Sequence, residues 1–192
     1  MGPRRRTDRR TGTERAAHRT PWRERARPPA AGTEVRSPGL RVAVPPQPVP
    51  ATASGAERLG PDKRLDRSAA PAVVNANDEY ALEAALKLVE AHGGEVTLVS
   101  MAPPSAPETR RKALAMGATR GLLVTDPTLA GSDTLSTARV LAVAVKDLEY
   151  DLLLAGADTS DGGGGVVAAG VAALLELPYL SYAAKIEPDA DA

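Results

Sequence analysis

From Leu40 onward the chain repeats one grammar: a short apolar run, a polar break, an amphipathic stretch closed by glycine, then the next apolar run. Leu40, Val42 and Val44 alternate with Arg41 and Ala43 in a first strand. Prolines then cut it off. Residues 45–72, dense in Pro, Gly and charge, read as a loop, with Gly60-Pro61-Asp62 as a turn. Asn77 is positioned to cap a helix opening at Asp78-Glu79, where two acids meet the positive helix end. Tyr80, Ala81, Ala84, Ala85, Leu88 and Val89 recur on one face of it, Glu83 and Lys87 stand four apart outside, and Gly93-Gly94 ends it. Residues 95–101 read as a buried strand. Ser105 to Glu108 is a capping-box pattern opening a helix that runs through Met116 to Gly117. A strand at 122–124, a helix at 134–149, a strand at 151–155, a helix at 165–176 and a last strand at 179–186 follow. Such alternation at short spacing predicts an α/β fold with a doubly wound, mainly parallel sheet.

The zero formal charge hides two different segments. Residues 1–40 hold eleven arginines against four acids, and the rest holds thirteen Lys and Arg against twenty acids. Residues 1–39 are Arg- and Pro-rich, with Trp22 as their one aromatic and few aliphatic side chains. They cannot bury enough surface to offset the entropy of ordering. The expectation is a disordered extension, translated from upstream of a true start near Leu40, followed by a domain over 40–192. A polyanion-binding arm is the competing reading of the arginines. A transit peptide is disfavoured because Pro3, Pro21, Pro28, Pro29 and Pro38 break the amphipathic helix it needs. No nucleic-acid partner is expected. The chain has no Cys, and His18 and His92 are its only histidines, which excludes a disulfide framework, a thiolate nucleophile and a His/Cys metal cluster. No run of about 18 apolar residues occurs, so the domain is expected to lack a membrane span and to be cytoplasmic.

In open α/β sheets, ligands bind beyond the carboxyl ends of the strands, where helix N-termini offer free N–H groups. Three segments meet that geometry. The clearest is Gly156, Ala157, Asp158, Thr159, Ser160, Asp161, Gly162, Gly163, Gly164 and Gly165, which follows a strand and opens a helix. Its glycines let the backbone approach a phosphate, Thr159 and Ser160 carry hydroxyl donors, and Asp161 is suited to orient a ribose or the loop itself. A ligand-free connector is the plainer reading of so much glycine. The loop lacks the Lys-Ser/Thr of a Walker A motif and is not a clean Rossmann fingerprint. The second segment starts at Asn75, whose amide suits an adenine or ribose, or a cap or turn. The third ends a strand at Met101, which either lines an adenine pocket or fills the core. His92 suits a helix C-terminus and receives no catalytic role. No carboxylate pair forms an acid/base couple, so the chain is expected not to be an enzyme, and any redox role falls to a bound organic cofactor.

Three motifs within residues 73–118 carry a family resemblance: Asn75-Ala76-Asn77-Asp78-Glu79 at a helix start, Val99-Ser100-Met101-Ala102-Pro103 at a strand end, and Ala113-Leu114-Ala115-Met116-Gly117-Ala118 at a helix end. The stretch resembles the N-terminal half of the electron transfer flavoprotein β subunit, and the likeness runs to about Glu187. The resemblance implies an adenine nucleotide alpha hydrolase-like, Rossmann-like three-layer fold and a heterodimer with an α subunit that holds most of the FAD. It also implies a buried AMP that serves structure, and relay of electrons from flavin-dependent dehydrogenases to the respiratory chain. Carried over by position, the AMP contacts fall on Pro45, on Asn75, Ala76, Asn77 and Asp78, on Met101, and on the loop from Gly156 through Val166 and Val167. The Thr159-Ser160-Asp161-Gly162 form of that loop resembles a branch common in high-GC bacteria.

Two departures stand against the family pattern. Where members read Val-Lys-Gln-Val-Pro-Asp-Thr, this chain reads Pro46-Gln47-Pro48-Val49-Pro50-Ala51-Thr52, losing the Lys and the Asp. A central strand does not accept that run, so the strand is expected to end at Val44 or move to an edge. Members also continue some dozens of residues past Glu187, so the expectation is that this chain is a fragment, a misread gene or a decayed copy. The alternatives to a β subunit are a free-standing universal-stress-type nucleotide module, whose Gly-x2-Gly-x9-Gly-Ser/Thr loop is absent here, and a non-functional truncated remnant.

Overall fold

A computed structural model describes residues 39–51, 58–67, 70–103, 111–112 and 114–188, all within one compact unit, Ser37–Ala192. The extension at 1–38 and the capping box at 105–108 lie outside the described residues. Four parallel strands make the central sheet: β1 (Leu40–Val44), β4 (Gly94–Met101), β5 (Arg120–Val124) and β6 (Leu152–Leu153), in the order β5-β4-β1-β6. Two short strands, β2 (Pro48–Pro50) and β3 (Ala72–Val74), pair antiparallel beside it. Among the described residues the helices are α1 (Ala76–His92), α2 (Thr134–Lys146) and α3 (Val167–Leu174), with helical residues also at 111–112 and 114–115 and a 3-10 turn at Pro127–Leu129.

The period-two alternation of strands explains how one sheet covers two cores. Val42 and Val44 of β1 and Val96 and Leu98 of β4 face α1, where Leu82 and Ala85 meet them. Val99 of β4 turns to the opposite face and packs against Ala138, Leu141, Ala142 and Val145 of α2 and Val171 of α3. β6 divides the same way, Leu152 and Leu154 toward the first cluster and Leu153 toward the second. Helices thus cover both faces of a mainly parallel sheet, which is an α/β three-layer, doubly wound arrangement. No helix of the described residues is long and apolar enough to cross a membrane.

β1 does end at Val44, and it remains central. Its position also limits β6. Leu154 N–H donates to the Ala43 carbonyl at 2.9 Å, and the next ladder donor would be the nitrogen of residue 45, a proline with no hydrogen. The strand expected at 151–155 therefore pairs over two residues only. The stretch 45–72 is not wholly loop, because β2 and β3 form a ribbon in it. Pro48 and Pro50 occupy alternate positions, while bonds from Asn75 N–H to Gln47 C=O (3.1 Å) and from Ala51 N–H to Pro71 C=O (2.9 Å) close it at both ends. Spaced in this way, the prolines sit where no donor is needed.

Four helix and strand expectations are corrected. α1 starts earlier, with Asn75 rather than Asn77 as its N-cap residue. Its buried face is Asp78, Leu82, Ala85 and Leu88, while Tyr80 is 69% exposed. Helical recurrence put Tyr80 on the apolar face, but Leu82 is the residue in phase with Ala85 and the sheet. α2 stops at Lys146, three residues short of expectation, because the chain turns so that Asp151 N–H reaches Arg41 C=O at 2.9 Å and enters the sheet. α3 is likewise shorter than the expected 165–176. Residues 179–186 form no strand: Leu180 and Tyr182 are 88% and 83% exposed, and Tyr182 has φ 54, which interrupts extended backbone. Gly93 stops α1 with φ 70, a conformation costly for any side chain.

Leu82→Ala is expected to destabilise the protein by about 2–5 kcal/mol in urea denaturation, and Tyr80→Ala by less than about 0.5 kcal/mol. Equal losses would place the core on the other face of α1.

Candidate functional site

The strand order reverses between β1 and β6. At such a switch point the chains leaving neighbouring strands diverge and open a crevice at their carboxyl ends. Here the divergence brings together the segment leaving β1 (Pro45, Pro46, Gln47), the start of α1 (Asn75, Asn77, Asp78) and the loop leaving β6 (Gly156 through Val166). Three of the expected segments therefore lie at one end of the sheet. Met101 ends β4 nearby, half-buried against the α2 core, and Ser100 Oγ ties that strand to the β1 exit by donating to Pro46 C=O at 2.5 Å.

Hydrogen bonds lock these segments. Asp78 is only 4% exposed, and its two carboxylate oxygens divide between two loops: Oδ2 accepts Gln47 N–H at 2.9 Å and Oδ1 accepts Gly156 N–H at 3.1 Å. In a continued ladder, Gly156 N–H would seek Pro45 C=O, which instead accepts from Gln47 Nε2 at 3.3 Å. Asn75, 1% exposed, spends its amide inside the protein, donating to Asp158 C=O at 2.7 Å and accepting from Ser160 N–H at 3.2 Å. Its backbone carbonyl accepts from Asp78 and Glu79 N–H, while its side chain makes no cap bond. Asn77 Nδ2 donates to Asp158 Oδ1 at 2.5 Å. Two of the candidate ligand amides are thus loop supports in this geometry.

Farther along the loop, Thr159 organises the turn, its carbonyl accepting Gly163 N–H at 2.8 Å and its hydroxyl accepting Gly162 N–H at 3.3 Å. Asp161, whose side chain is 6% exposed, forms a 2.6 Å ion pair with Arg67. Beyond it the surface opens: nothing lies within 4 Å of where a Cβ on Gly163 would stand. The N–H groups of Gly164, Gly165, Val166 and Val167 have no acceptor among the described residues. Ala76 is exposed at the first turn of α1, and Ala157 bends the chain between Gly156 and Asp158. Gln47 and Arg67 escaped sequence reasoning. Each acts through a partner 31 or 94 residues away, and no local pattern announces such a contact.

Burial pushes the Asp78 carboxyl up to about 6 from its ordinary 3.8, and the negative charge of Asp158 adds to the rise. Hydrogen bonding from Gln47, Asn75 and Gly156 works in the opposite direction but does not cancel the cost of leaving water. A groove of about 740 Å³ lies elsewhere, between Tyr80, Lys87 and His92 of α1 and residues 183–188. It contains none of the converging polar groups described above.

Residues 63–192 match the electron transfer flavoprotein domain family. Over 135 residues the chain is 40% identical to the electron transfer flavoprotein subunit beta of Clostridium acetobutylicum, an overlap of 70% of this chain and 52% of that protein. It is 46% identical over 125 residues to Protein FixA of Azorhizobium caulinodans, covering 62% and 44%. To the acryloyl-CoA reductase electron transfer subunit gamma of Anaerotignum propionicum it is 34% identical over 155 residues, covering 79% and 58%. The chain spans about half the length of the curated relatives it matches.

A Cβ at position 156 would stand 2.5 Å from Asp78 Oδ1 and 2.7 Å from the Asn77 carbonyl carbon, the latter being backbone that cannot swing aside. Gly156→Ala is expected to cost about 1–3 kcal/mol, measured by urea denaturation, and a neutral result would refute the tight seating of the loop. A second expectation concerns pH. The folded state binds the Asp78 proton more tightly than the unfolded chain, so this group favours folding below about pH 3.8 and that contribution is lost as pH rises through 6. The stability of the protein relative to Asp78→Asn should fall by about 2 kcal/mol between pH 4 and pH 7, and a flat difference would refute it.

Proposed function

The chain belongs to the electron transfer flavoprotein domain family, and on that premise we propose that it is a β-type subunit: a non-catalytic carrier component that binds AMP and, with an α subunit, encloses FAD. The observation that carries this reading is the loop 156–166 at the strand-order switch point. It is fastened at its base by Asn75, Asn77 and Asp78, and its tip leaves N–H groups free. Residues 40–192 make up the nucleotide-binding domain and residues 1–39 an extension outside it.

The residues present fit a nucleotide monophosphate. The N–H groups of Gly164, Gly165, Val166 and Val167 stand at the positive end of α3, with open space over Gly163, and suit a doubly charged phosphate. Arg67 pairs with Asp161 and offsets its negative charge beside the loop. Ala76 and Met101 supply apolar surface beside the loop. Asn75, Asn77 and Asp78 orient the backbone that meets the nucleotide, their own polar atoms being engaged within the protein. When bound, FAD supplies the electron-carrying chemistry, most of it held by the α subunit. In this reading the complex works in the cytoplasm and takes electrons from flavin-dependent dehydrogenases. The run Pro46-Gln47-Pro48-Val49-Pro50-Ala51 offers neither a Lys nor an Asp toward that flavin.

The test is mass spectrometry of the nucleotide released from the purified chain, produced with and without a candidate α subunit. Stoichiometric AMP, joined by FAD only in the presence of the partner, is the expected result. ATP without any partner would point instead to a free-standing nucleotide module. A folded protein that releases no nucleotide in either preparation would overturn the proposal.

A further inference from the structure

We propose that Asp78 is the positioning residue of the nucleotide loop: its ionised carboxylate clasps the chain leaving β1 to the chain leaving β6, and only that closed clasp presents residues 156–166 in the conformation that takes the nucleotide. The inference rests on the nucleotide reading above and adds a pH-dependent control to it.

The argument is one of donor and acceptor count. Each carboxylate oxygen accepts one backbone N–H, from Gln47 on one side and Gly156 on the other, and the Asn75 side chain adds a hydrogen bond to the ionised form. A protonated carboxyl keeps one good acceptor, and its hydroxyl becomes a donor facing another donor. One of the two loops must then be released. Neither has a ready substitute. The Pro45 carbonyl, which a continued ladder would offer to Gly156 N–H, is already engaged by the Gln47 side chain. Gly156 sits so close to Asp78 that a small shift of the carboxyl displaces it, and from Gly156 the chain runs directly into Asp158 and Ser160, which Asn75 holds.

The surrounding charges favour a proton on this site. Asp158, across the loop, acts on Asp78 with like charge. Glu79, next on α1, is paired with Lys112, and Asp161 with Arg67, while the β1 exit contributes the uncharged Pro45, Pro46 and Gln47. No cation among the described residues is paired with Asp78. With its carboxyl pushed up to about 6, the clasp changes state near neutral pH.

Asp78→Asn is a fixed counterpart of the protonated clasp, because at every pH the amide keeps one acceptor oxygen and has an NH2 donor group in place of the second. AMP affinity of the full chain with its α subunit should fall roughly tenfold from pH 7 to pH 5 relative to Asp78→Asn, as the binding-competent fraction drops to about a tenth one unit below the midpoint. At pH 7 the variant should bind about tenfold more weakly than the unsubstituted protein, and at pH 5 the two should bind about equally. Titration of the phosphate of AMP is common to both proteins and cancels in the ratio. Identical pH profiles would overturn the clasp. If neither protein binds AMP, the amide signals of Gln47 and Gly156 in the unsubstituted full chain decide the matter by NMR, with no need for a folded variant. A shared midpoint near pH 6 would uphold the clasp while the nucleotide reading falls, and amides that do not respond to pH would overturn it.

Discussion

A missing hydrogen atom governs the carboxyl end of the central sheet. Pro45 follows the last residue of the central strand and cannot donate to the ladder, so β1 and β6 part company after Val44 and Leu154. In a regular parallel sheet the next backbone donor would simply pair across. Here Gly156 N–H is left over and takes Asp78 instead, and the Gln47 amide does the same from the other side. A single buried acid thereby replaces the backbone pairing that the prolines remove. Ionised burial is costly, which is why the Asp78 carboxyl rises to about 6, but a backbone N–H buried without an acceptor is costly too.

Behind this end, the rest of the fold is an apolar scaffold built to keep three chain segments in register. Val42 and Val44 on one face, and Val99 on the other, are each almost wholly removed from water and anchor the sheet between α1 and the α2–α3 pair. The sheet fixes where β1 and β6 end, and α1 fixes where Asn75 and Asp78 point. Polar groups at the crevice can then be placed to within hydrogen-bond distance although they come from positions some eighty residues apart. The ion pair between Arg67 and Asp161 extends the same logic to the loop tip, with an exposed cation covering an acid that is almost buried.

Legibility in the sequence varied with the range of the interaction involved. The end of β1 at Val44 was readable because proline acts on its own backbone. The stop of α1 at Gly93 and strands at 95–101 and 122–124, observed as Gly94–Met101 and Arg120–Val124, were readable because periodicity and glycine are local signals. Helical recurrence put Tyr80 on the apolar face of α1, whereas phase against the sheet selects Leu82 and leaves Tyr80 69% exposed. The ribbon of β2 and β3 was hidden because prolines suppress the strand signal yet are tolerated at alternate positions of a short pair. The expected strand at 179–186 has the right composition, but a strand exists only with a partner, and no described strand lies beside those residues.

The sequence by itself determined the α/β class and the end of a short first strand at Val44, and it marked the glycine loop as a segment that follows a strand and opens a helix. Those follow from hydrophobic period, proline and glycine, which act over a few residues. Only the tertiary structure decided what Asn75, Asn77 and Asp78 do. Their side chains could have faced a ligand or the protein with equal local propriety. The choice was made by donors that the fold brings across from Gly156 and Ser160 and by acceptors on Asp158, because a buried polar group must find its partner wherever the chain supplies one.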